Sequence, residues 1–283
     1  MALEDDDPRA RASEVVAGYF ADYERVFGLP VHRPITVRTV TEAPEDRLAV
    51  DTDDGRWTTR ALINATGTWT RPFWPRYAGA TTFRGRQLHT ADYRSAQEFA
   101  DQHVVVVGGG HSAIQLLAEI SEVTTTTWVT RRPPQWRDTP FDVHAGRHAV
   151  ALVERAVAEG RRPASVVSVT GLVATPPVEE ARRRGALERL PMFDRITTDG
   201  VEWDGGRVIR ADVIVWATGF RHALDHLAPL GLRGHHGGIR MEGTQVAGDP
   251  RIHLLGYGPS ANTVGATRAA RAAVASLRTL LRA

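Results

Sequence analysis

The residues whose types and spacing most clearly suggest a chemical role are the glycines of a GGGHSA sequence. This sequence follows a run of four valines at positions 104–107. A β-branched apolar run of this length indicates a strand that is buried on both faces. The residues after the glycines show helical spacing, with Ile114, Leu117 and Ile120 on one face. Strand, glycine turn and helix together predict the opening of a dinucleotide-binding βαβ unit, with the pattern GxGxxA.

Each position of this pattern suits a bound pyrophosphate. Gly108 permits the tight turn, Gly110 lets backbone N–H groups approach the phosphates, and Ala113 lets the helix pack closely on the strand. The helix N-terminus adds unpaired N–H donors and the positive end of a dipole. The alternative interpretation is a glycine-rich turn that binds nothing.

Polar side chains at the start of this helix are further candidates for contacts with the cofactor. They are His111, Ser112 and Gln115. Two roles stay open for His111, because an imidazole there can hydrogen-bond the cofactor or cap the helix.

Two arginines follow the next strand, which is predicted over residues 125–130. An enzyme that prefers NADH carries an acidic residue near this point, where it holds the ribose 2′-hydroxyl. This chain has Arg131 and Arg132 instead, and a guanidinium fork suits a 2′-phosphate. The sequence therefore favours NADPH over NADH, and the alternative is a pair of solvated surface arginines.

The composition excludes several kinds of chemistry. The chain of 283 residues has no cysteine, and all 35 basic residues are arginine. Thiolate nucleophiles, disulfide exchange and Schiff-base lysines are therefore excluded. Asp142, His144 and His148 lack metal-ligand spacing, so no metal site is expected.

Charge and hydropathy predict a globular protein of one or two domains without a nucleic-acid or membrane partner. The formal net charge is only +2, and no basic–aromatic stripe is present. No apolar run approaches the ~20 residues that would span a membrane. The acidic, polar N-terminus does not resemble a signal peptide, which predicts a cytoplasmic location.

The elements that must position these residues begin with an amphipathic helix over residues 13–27, with Ser13 as its N-cap. Strands at 35–40, 47–52 and 57–61 predict an antiparallel β-meander. The proline- and aromatic-rich residues 68–100 are interpreted as a crossing between domains. The chain is expected to end in a strand over 251–256 and a helix over 266–281.

An apolar strand that ends in Ala-Thr-Gly occurs twice, once on each side of the GxGxxA unit. Each copy places a hydroxyl and a glycine at the carboxyl end of a strand, where open α/β sheets bind ligands. Thr66 and Gly67 in the first copy, and Thr218 and Gly219 in the second, are therefore candidate cofactor contacts. A third glycine turn, after the last strand, adds Gly256 and Tyr257 as candidates.

With these pieces placed, the sequence resembles the bacterial flavin-containing monooxygenases. The resemblance rests on GGGHSA, on the two ATG turns, on LLGYG at 254–258, and on the pattern FxGxxxHxxxY. The residues of that last pattern are Phe83, Gly85, His89 and Tyr93. Baeyer–Villiger enzymes typically carry tryptophan at its final position, so the resemblance is closer to the flavin-containing monooxygenase branch.

The resemblance implies an α/β fold in which a Rossmann-like NADP(H)-binding domain, residues 96–219, is inserted in a Rossmann-like FAD-binding domain with a β-meander. The FAD-binding part corresponds to residues 1–95 and 220–283, and it is incomplete. The implied cofactors are NADPH and FAD. The implied reaction oxygenates an amine nitrogen or a sulfide sulfur through a flavin C4a-(hydro)peroxide, so the partners are a small-molecule substrate and O₂. The resemblance implies that the flavin does the chemistry without a protein nucleophile; it leaves the catalytic residues unidentified and a homodimer open.

One departure from the family pattern is large. Family members carry a second strand–GxGxxG unit for the ADP part of FAD, and none occurs here before residue 104. A sheet that lacks this strand should expose an apolar edge. A misassigned start, a genuine truncation and a protein repurposed as an NADP(H)-binding remnant or sensor all remain open explanations.

Overall fold

The computed structural model describes residues 12–137, 143–163, 171–261 and 263–282. Its helices are α1 (Ala12–Phe27), α2 (His111–Ile120), α3 (Val143–Ala158), α4 (Pro176–Arg183) and α5 (Thr263–Leu280). The first half contains the strands β1 (Val37–Ala43), β2 (Arg47–Thr52), β3 (Gly55–Thr59), β4 (Leu62–Asn64), β5 (Arg86–His89), β6 (Val104–Val107), β7 (Thr126–Thr130) and β8 (Trp136–Arg137). The second half contains β9 (Leu172–Val173), β10 (Arg189–Pro191), β11 (Arg195–Thr197), β12 (Gly200–Glu202), β13 (Val208–Arg210), β14 (Val213–Trp216), β15 (Met241–Glu242), β16 (Gln245–Val246) and β17 (Asp249–Leu254).

Five parallel strands in the order β10-β7-β6-β14-β5 form the larger sheet. The four valines of β6 lie near its centre and are buried, which confirms the predicted central strand. Trp128 on β7 and Trp216 on β14 flank them and are also buried. Each indole N–H has an acceptor, the carbonyl of Gly108 at 2.7 Å and the side-chain oxygen of Gln87 at 3.1 Å. Buried tryptophans need such partners. The packing around β6 is therefore apolar, and both buried indole N–H groups are hydrogen-bonded.

The second sheet has the order β15-β16-β17-β4, and β4 runs parallel to β17. β4 forms one edge of this sheet, and Ile63 on it is exposed. The predicted meander is confirmed as the antiparallel sheet β1-β2-β3. A further antiparallel sheet, β11-β12-β13, contains the hairpin that turns at 204–206.

Several local details differ from the sequence expectations. Ser13 lies inside α1, which already includes Ala12, so Ser13 is not the N-cap. The apolar face of α1 is present but not covered, because Val16, Phe20 and Phe27 are 42%, 56% and 55% exposed. β5 lies within residues 68–100, the predicted crossing, and adds the edge strand of the larger sheet. Helical periodicity and strand pattern report local structure, whereas burial and sheet partners depend on distant residues.

Some of the sequence predictions concern residues outside the structural description. They are the acidic N-terminus before residue 12, Asp142, and the side chains of His144 and His148. Among the described residues, no three His, Asp or Glu side chains converge as a metal site would require. Within the same residues, no helix is both long and apolar enough to cross a membrane.

Arg251 on β17 joins the second sheet to the meander. Its guanidinium contacts Asp249 at 2.9 Å, Glu42 at 2.8 Å and Asp46 at 2.9 Å. Only 11% of the Arg251 side chain is exposed, and hydrogen bonds to Asp249 and Glu42 raise its pKa above the usual range. One arginine thus holds three carboxylates that are as far as 209 positions away in the sequence.

We expect Arg251→Met to lower the free energy of unfolding by about 2–3 kcal/mol, because it leaves the largely buried Asp249 carboxylate without its cation. Urea denaturation followed by circular dichroism measures this change. Arg210→Met is the matched control, since its ion pair with Asp199 is exposed and should be worth less than about 1 kcal/mol. Equal losses in the two variants would contradict a special role for Arg251.

Candidate functional site

The glycine turn after β6 has two positions with different physical demands. Gly108 has φ +152°, and a Cβ there would overlap the backbone carbonyl of Ala217, which follows the neighbouring strand β14. Gly110 has φ −105° and is the N-cap of α2. No atom lies within 4 Å of the Cβ position of Gly110. Gly108 is therefore required by the packing of the strands, whereas Gly110 faces open space on the side where a phosphate would bind.

The N-terminus of α2 presents unused hydrogen-bond donors. The first helical amides that bond within the protein are those of Ala113 and Ile114, and both donate to the carbonyl of Gly110. Within the described part of the chain, the N–H groups of Gly110, His111 and Ser112 have no protein acceptor. Three free amides at the positive end of a helix form the cradle that a pyrophosphate needs.

The polar side chains of this helix occupy different surroundings. Ser112 and Gln115 are exposed beside the turn. The ring of His111 is half-buried, and its Nε2 accepts a long 3.5 Å hydrogen bond from the N–H of Val173. Burial lowers the pKa of His111, so the ring is neutral near pH 7. His111 therefore tethers α2 to β9, and the capping position belongs to Gly110.

Arg131 and Arg132 follow β7 directly, beside the carboxyl end of β6. Both side chains are exposed, and neither contacts a carboxylate among the described residues. Their turn is held by Thr130, whose hydroxyl donates to the carbonyl of Arg132 at 2.7 Å. Arg189 donates to the backbone carbonyl of Thr130 at 3.1 Å. The two guanidinium groups are thus carried on an ordered turn and are free to pair with an anion.

The threonines of the two ATG turns make matching contacts. The hydroxyl of Thr66 donates to the carbonyl of Ala223 at 2.7 Å. The hydroxyl of Thr218 donates to the carbonyl of Phe73 at 2.5 Å. Each ATG turn therefore binds the segment that follows the other ATG turn. The hydroxyl protons are engaged in this pairing, and the Thr66 hydroxyl oxygen also accepts from the side-chain amide of Asn64 at 3.1 Å.

Backbone hydrogen bonds extend this pairing. We call residues 66–73 and 218–223 the paired crossings, because both connect the two larger sheets. Their backbone bonds, between 2.8 and 2.9 Å, run from Ala223 N to Gly67 O, from Arg221 N to Arg71 O and from Phe73 N to Gly219 O. The two connections between the sheets are consequently one short antiparallel ribbon rather than two independent linkers.

A residue of the FxGxxxHxxxY pattern, His89, holds this ribbon through a hydrogen bond. His89 is fully buried, and its Nδ1 accepts from the N–H of Ala91 at 3.1 Å. Its Nε2 therefore carries the proton and donates to the carbonyl of Gly219 at 3.0 Å. Burial lowers the pKa of His89, which keeps the ring neutral. The sequence marks His89 through a family pattern, but only the structure shows which carbonyl it holds.

The other members of the pattern are structural as well. A Cβ at Gly85 would overlap the carbonyl of Asp212 and the ring of Phe83. The hydroxyl of Tyr93 donates to Glu119 on α2 at 2.6 Å, and its ring stacks on Phe99. The pattern thus fastens β5 to β14 on one side and to α2 on the other.

The glycine turn after β17 is built differently from the turn after β6, although its letters, GYGPSA, also spell GxGxxA. The hydroxyl of Ser260 accepts from Gly256 N–H at 3.0 Å and donates to the carbonyl of Tyr257 at 3.0 Å. Tyr257 is buried, and its hydroxyl accepts from Ile239 N–H at 2.9 Å. This turn satisfies its groups internally. The backbone of Gly256 and Gly67 stays open at the Cβ position, so both remain predicted cofactor contacts.

The fold and this geometry define a class: a two-sheet α/β protein that presents one nucleotide cradle at the carboxyl ends of parallel strands. Comparison with known protein families supports this assignment to a class. Residues 4–164, more than half of the chain, match the family model described as pyridine nucleotide-disulphide oxidoreductase. The chain therefore belongs to this family.

Similar solved structures show which group within this family the chain resembles. The flavin-containing monooxygenase from Stenotrophomonas maltophilia is 34% identical, with a TM-score of 0.80, and the match covers 98% of this chain and 80% of that enzyme. A doubly substituted flavin monooxygenase from the same organism is 36% identical, with a TM-score of 0.81, and the match covers 99% of this chain and 80% of that chain. The chain thus falls among the bacterial flavin monooxygenases within its family, as the sequence resemblance predicts.

Two of the curated relatives match over shorter stretches. The oxidoreductase CzcO-like of Geobacillus kaustophilus is 30% identical over 123 residues, which are 43% of this chain and 35% of that protein. The Arabidopsis thaliana protein named probable indole-3-pyruvate monooxygenase YUCCA4 is 30% identical over 117 residues, 40% of this chain and 28% of that protein. The matched stretches thus span about a third of the length of these relatives.

The two glycines of the turn give a matched pair of variants. We expect Gly108→Ala to destabilise the fold, because its Cβ meets the carbonyl of Ala217. We expect Gly110→Ala to keep the melting temperature within a few degrees but to weaken NADPH binding at least tenfold, since its methyl group enters the space in front of the helix amides. Thermal denaturation and calorimetric titration with NADPH separate the two effects. Unchanged NADPH affinity in Gly110→Ala would remove the turn from the site.

Proposed function

We propose that this chain is the NADPH-binding part of a flavoprotein monooxygenase that oxygenates a soft nucleophile, an amine nitrogen or a sulfide sulfur. The observation that carries the proposal is the glycine turn after β6: among the described residues the amides of Gly110, His111 and Ser112 have no acceptor, and the Cβ position of Gly110 lies next to open space. Family membership supplies the context, and the absence of cysteine in the sequence separates this member from disulfide-exchanging relatives.

The residues present fit NADPH. The N-terminus of α2 would hold the pyrophosphate, and Ala113 lets that helix approach β6 closely. Arg131 and Arg132 would pair with the 2′-phosphate, because both guanidinium groups are exposed and have no carboxylate partner among the described residues. The neutral ring of His111 fixes the end of α2 that carries the donors.

The fit to FAD is partial. Gly67 and Gly256, at the ends of the adjacent parallel strands β4 and β17, leave room for a planar ring to approach the backbone. The turn after β17 closes on Ser260, so the Gly256 amide is not free for a phosphate. When bound, a flavin reduced by NADPH supplies the oxygen-activating chemistry. We assign no residue of this chain to that chemistry.

The proposal predicts that purified protein takes up FAD and oxidises NADPH only when flavin is present. The measurement is the flavin absorbance of protein after desalting, together with NADPH oxidation with and without added FAD. A sulfide or tertiary amine should increase the rate and yield the corresponding oxide. Protein that neither retains flavin nor shows flavin-dependent turnover would contradict the proposal for this chain.

A second candidate function is a non-catalytic NADP(H)-binding protein, a sensor or a remnant that has lost FAD. The observation that favours it is that the turn after β17 closes on Ser260, whereas the turn after β6 leaves its amides without an acceptor among the described residues. The two candidates differ in the flavin experiment and agree in predicting NADPH binding. Failure to bind NADPH at all would reject both.

We expect Arg131→Ala combined with Arg132→Ala to weaken NADPH binding by about 2 kcal/mol, roughly thirtyfold, because charge-assisted hydrogen bonds to the 2′-phosphate are lost. NADH binding should change less than about threefold, since NADH has a hydroxyl there. The matched control is Arg207→Ala with Arg210→Ala, on and beside β13 of a separate sheet. Parallel losses for both nucleotides would show that the two arginines do not read the 2′-phosphate.

A further inference from the structure

A cleft of about 540 Å³ opens beside the paired crossings, and four arginines line it. They are Arg71, Arg162, Arg221 and Arg233. Arg71 and Arg221 belong to the two crossings, whereas Arg162 follows α3 and Arg233 precedes β15. Elements that are distant in the sequence therefore converge on one cationic surface.

Among the described residues, the carboxylates of this cleft do not balance its positive charge. Asp225 contacts Arg71 at 2.5 Å and is the one acidic residue in the described part of the lining. Within the described ranges, Arg162, Arg221 and Arg233 contact no carboxylate. Arg162 Nε and Arg233 Nη1 each donate to the carbonyl of Gly237 at 3.2 Å, which orients them but does not neutralise them. Three guanidinium charges thus face one concave space, an arrangement that attracts an anion.

Arg221 is the best positioned of these cations. Its backbone N–H donates to the carbonyl of Arg71 at 2.8 Å, so the ribbon fixes its place. Its guanidinium lies 4.3 Å from the ring centroid of Phe73, over the face of the ring. Stacking on an aromatic ring holds the planar group while its N–H edge remains free for a bidentate contact. Burial lowers the pKa of the adjacent His222, and the charge of Arg233 lowers it further, so His222 adds no charge near pH 7.

The remaining wall of the cleft is aromatic and lies next to the cofactor strands. Phe73, Trp74 and Phe220 contribute to it. Phe220 directly follows Gly219, the last residue of the second ATG turn, and that turn follows β14, the neighbour of β6. Trp69 stacks on Phe220 with 5.3 Å between the ring centroids, which keeps that ring in place. A ligand with a flat apolar body and an anionic end matches this combination of surfaces.

We propose that this cleft is a substrate subsite that binds the carboxylate of an aromatic carboxylic acid, with Arg221 and Arg233 as the residues that read the charge. The inference rests on the proposed function and deepens it, because the substrate then carries its soft nucleophile on an anionic aromatic body. A phosphate of the nucleotide shares the chemistry of a carboxylate, so the experiment separates these two sources.

The probes are 4-(methylthio)benzoate and 4-(methylthio)benzamide, which have the same shape and the same sulfide but differ in charge. Calorimetric titration of the purified full chain, without nucleotide, should show at least tenfold tighter binding of the benzoate. Arg221→Gln and Arg233→Gln should each weaken benzoate binding about tenfold, the typical effect of one lost charge-assisted hydrogen bond. Amide binding should stay within about twofold, as should NADPH binding, and Arg210→Gln should change neither.

Equal binding of the two probes would overturn the proposal, as would benzoate binding that is insensitive to both substitutions. Loss of NADPH affinity in Arg221→Gln would also overturn it, since the cleft would then hold a cofactor phosphate. The readout is binding, so it does not depend on turnover. Selective binding of the benzoate without its conversion to a sulfoxide would leave the subsite intact and count against the monooxygenase activity alone.

Discussion

The rest of this structure depends on the pairing of the two chain segments that cross between the sheets. Two separate linkers of several residues would leave the sheets free to reorient, because each linker samples many backbone conformations. Here the segments share three backbone hydrogen bonds and two threonine–carbonyl hydrogen bonds. A ribbon of this kind fixes the orientation of one sheet relative to the other, so the carboxyl ends of β4 and β14 face a common space. The cleft arginines Arg71 and Arg221 both lie on this ribbon.

The ribbon also explains why its bracing residues are buried and neutral. Gly219 offers its carbonyl to Phe73 N–H and to the Nε2–H of His89 at the same time. A charged imidazole at that position would lose the hydrogen bond from Ala91 N–H to Nδ1, because both ring nitrogens would then be donors. Burial lowers the pKa of His89, and this keeps the acceptor available. The histidine therefore acts as a fixed donor rather than as a proton carrier.

The local parts of the fold could be predicted from sequence, and the long-range parts could not. The unit from β6 to β7 and the meander are encoded by residue patterns within thirty positions of each other, so periodicity and turn chemistry suffice. The ribbon joins Thr66 to Ala223, 157 positions apart, and no local pattern reports which carbonyl a threonine reaches. Helix α1 is a second example of this limit. Its apolar spacing predicts the helix correctly, but Phe20 is exposed, because covering that face depends on other segments.

The cationic cleft is formed by arginines that the sequence alone does not identify as a site, and the ribbon brings two of them together. In a chain with 35 arginines, Arg71 and Arg221 are unremarkable by sequence. They become neighbours because Arg221 N–H donates to the carbonyl of Arg71, within the pairing that joins the sheets. Any rearrangement of one sheet relative to the other must therefore move these two guanidinium groups and the second ATG turn together. The nucleotide cradle after β6 contacts that same turn, because Gly108 packs on Ala217. The fold thus ties the position of the cleft to β6 and its glycine turn, through covalent neighbours and hydrogen bonds that can be named one by one.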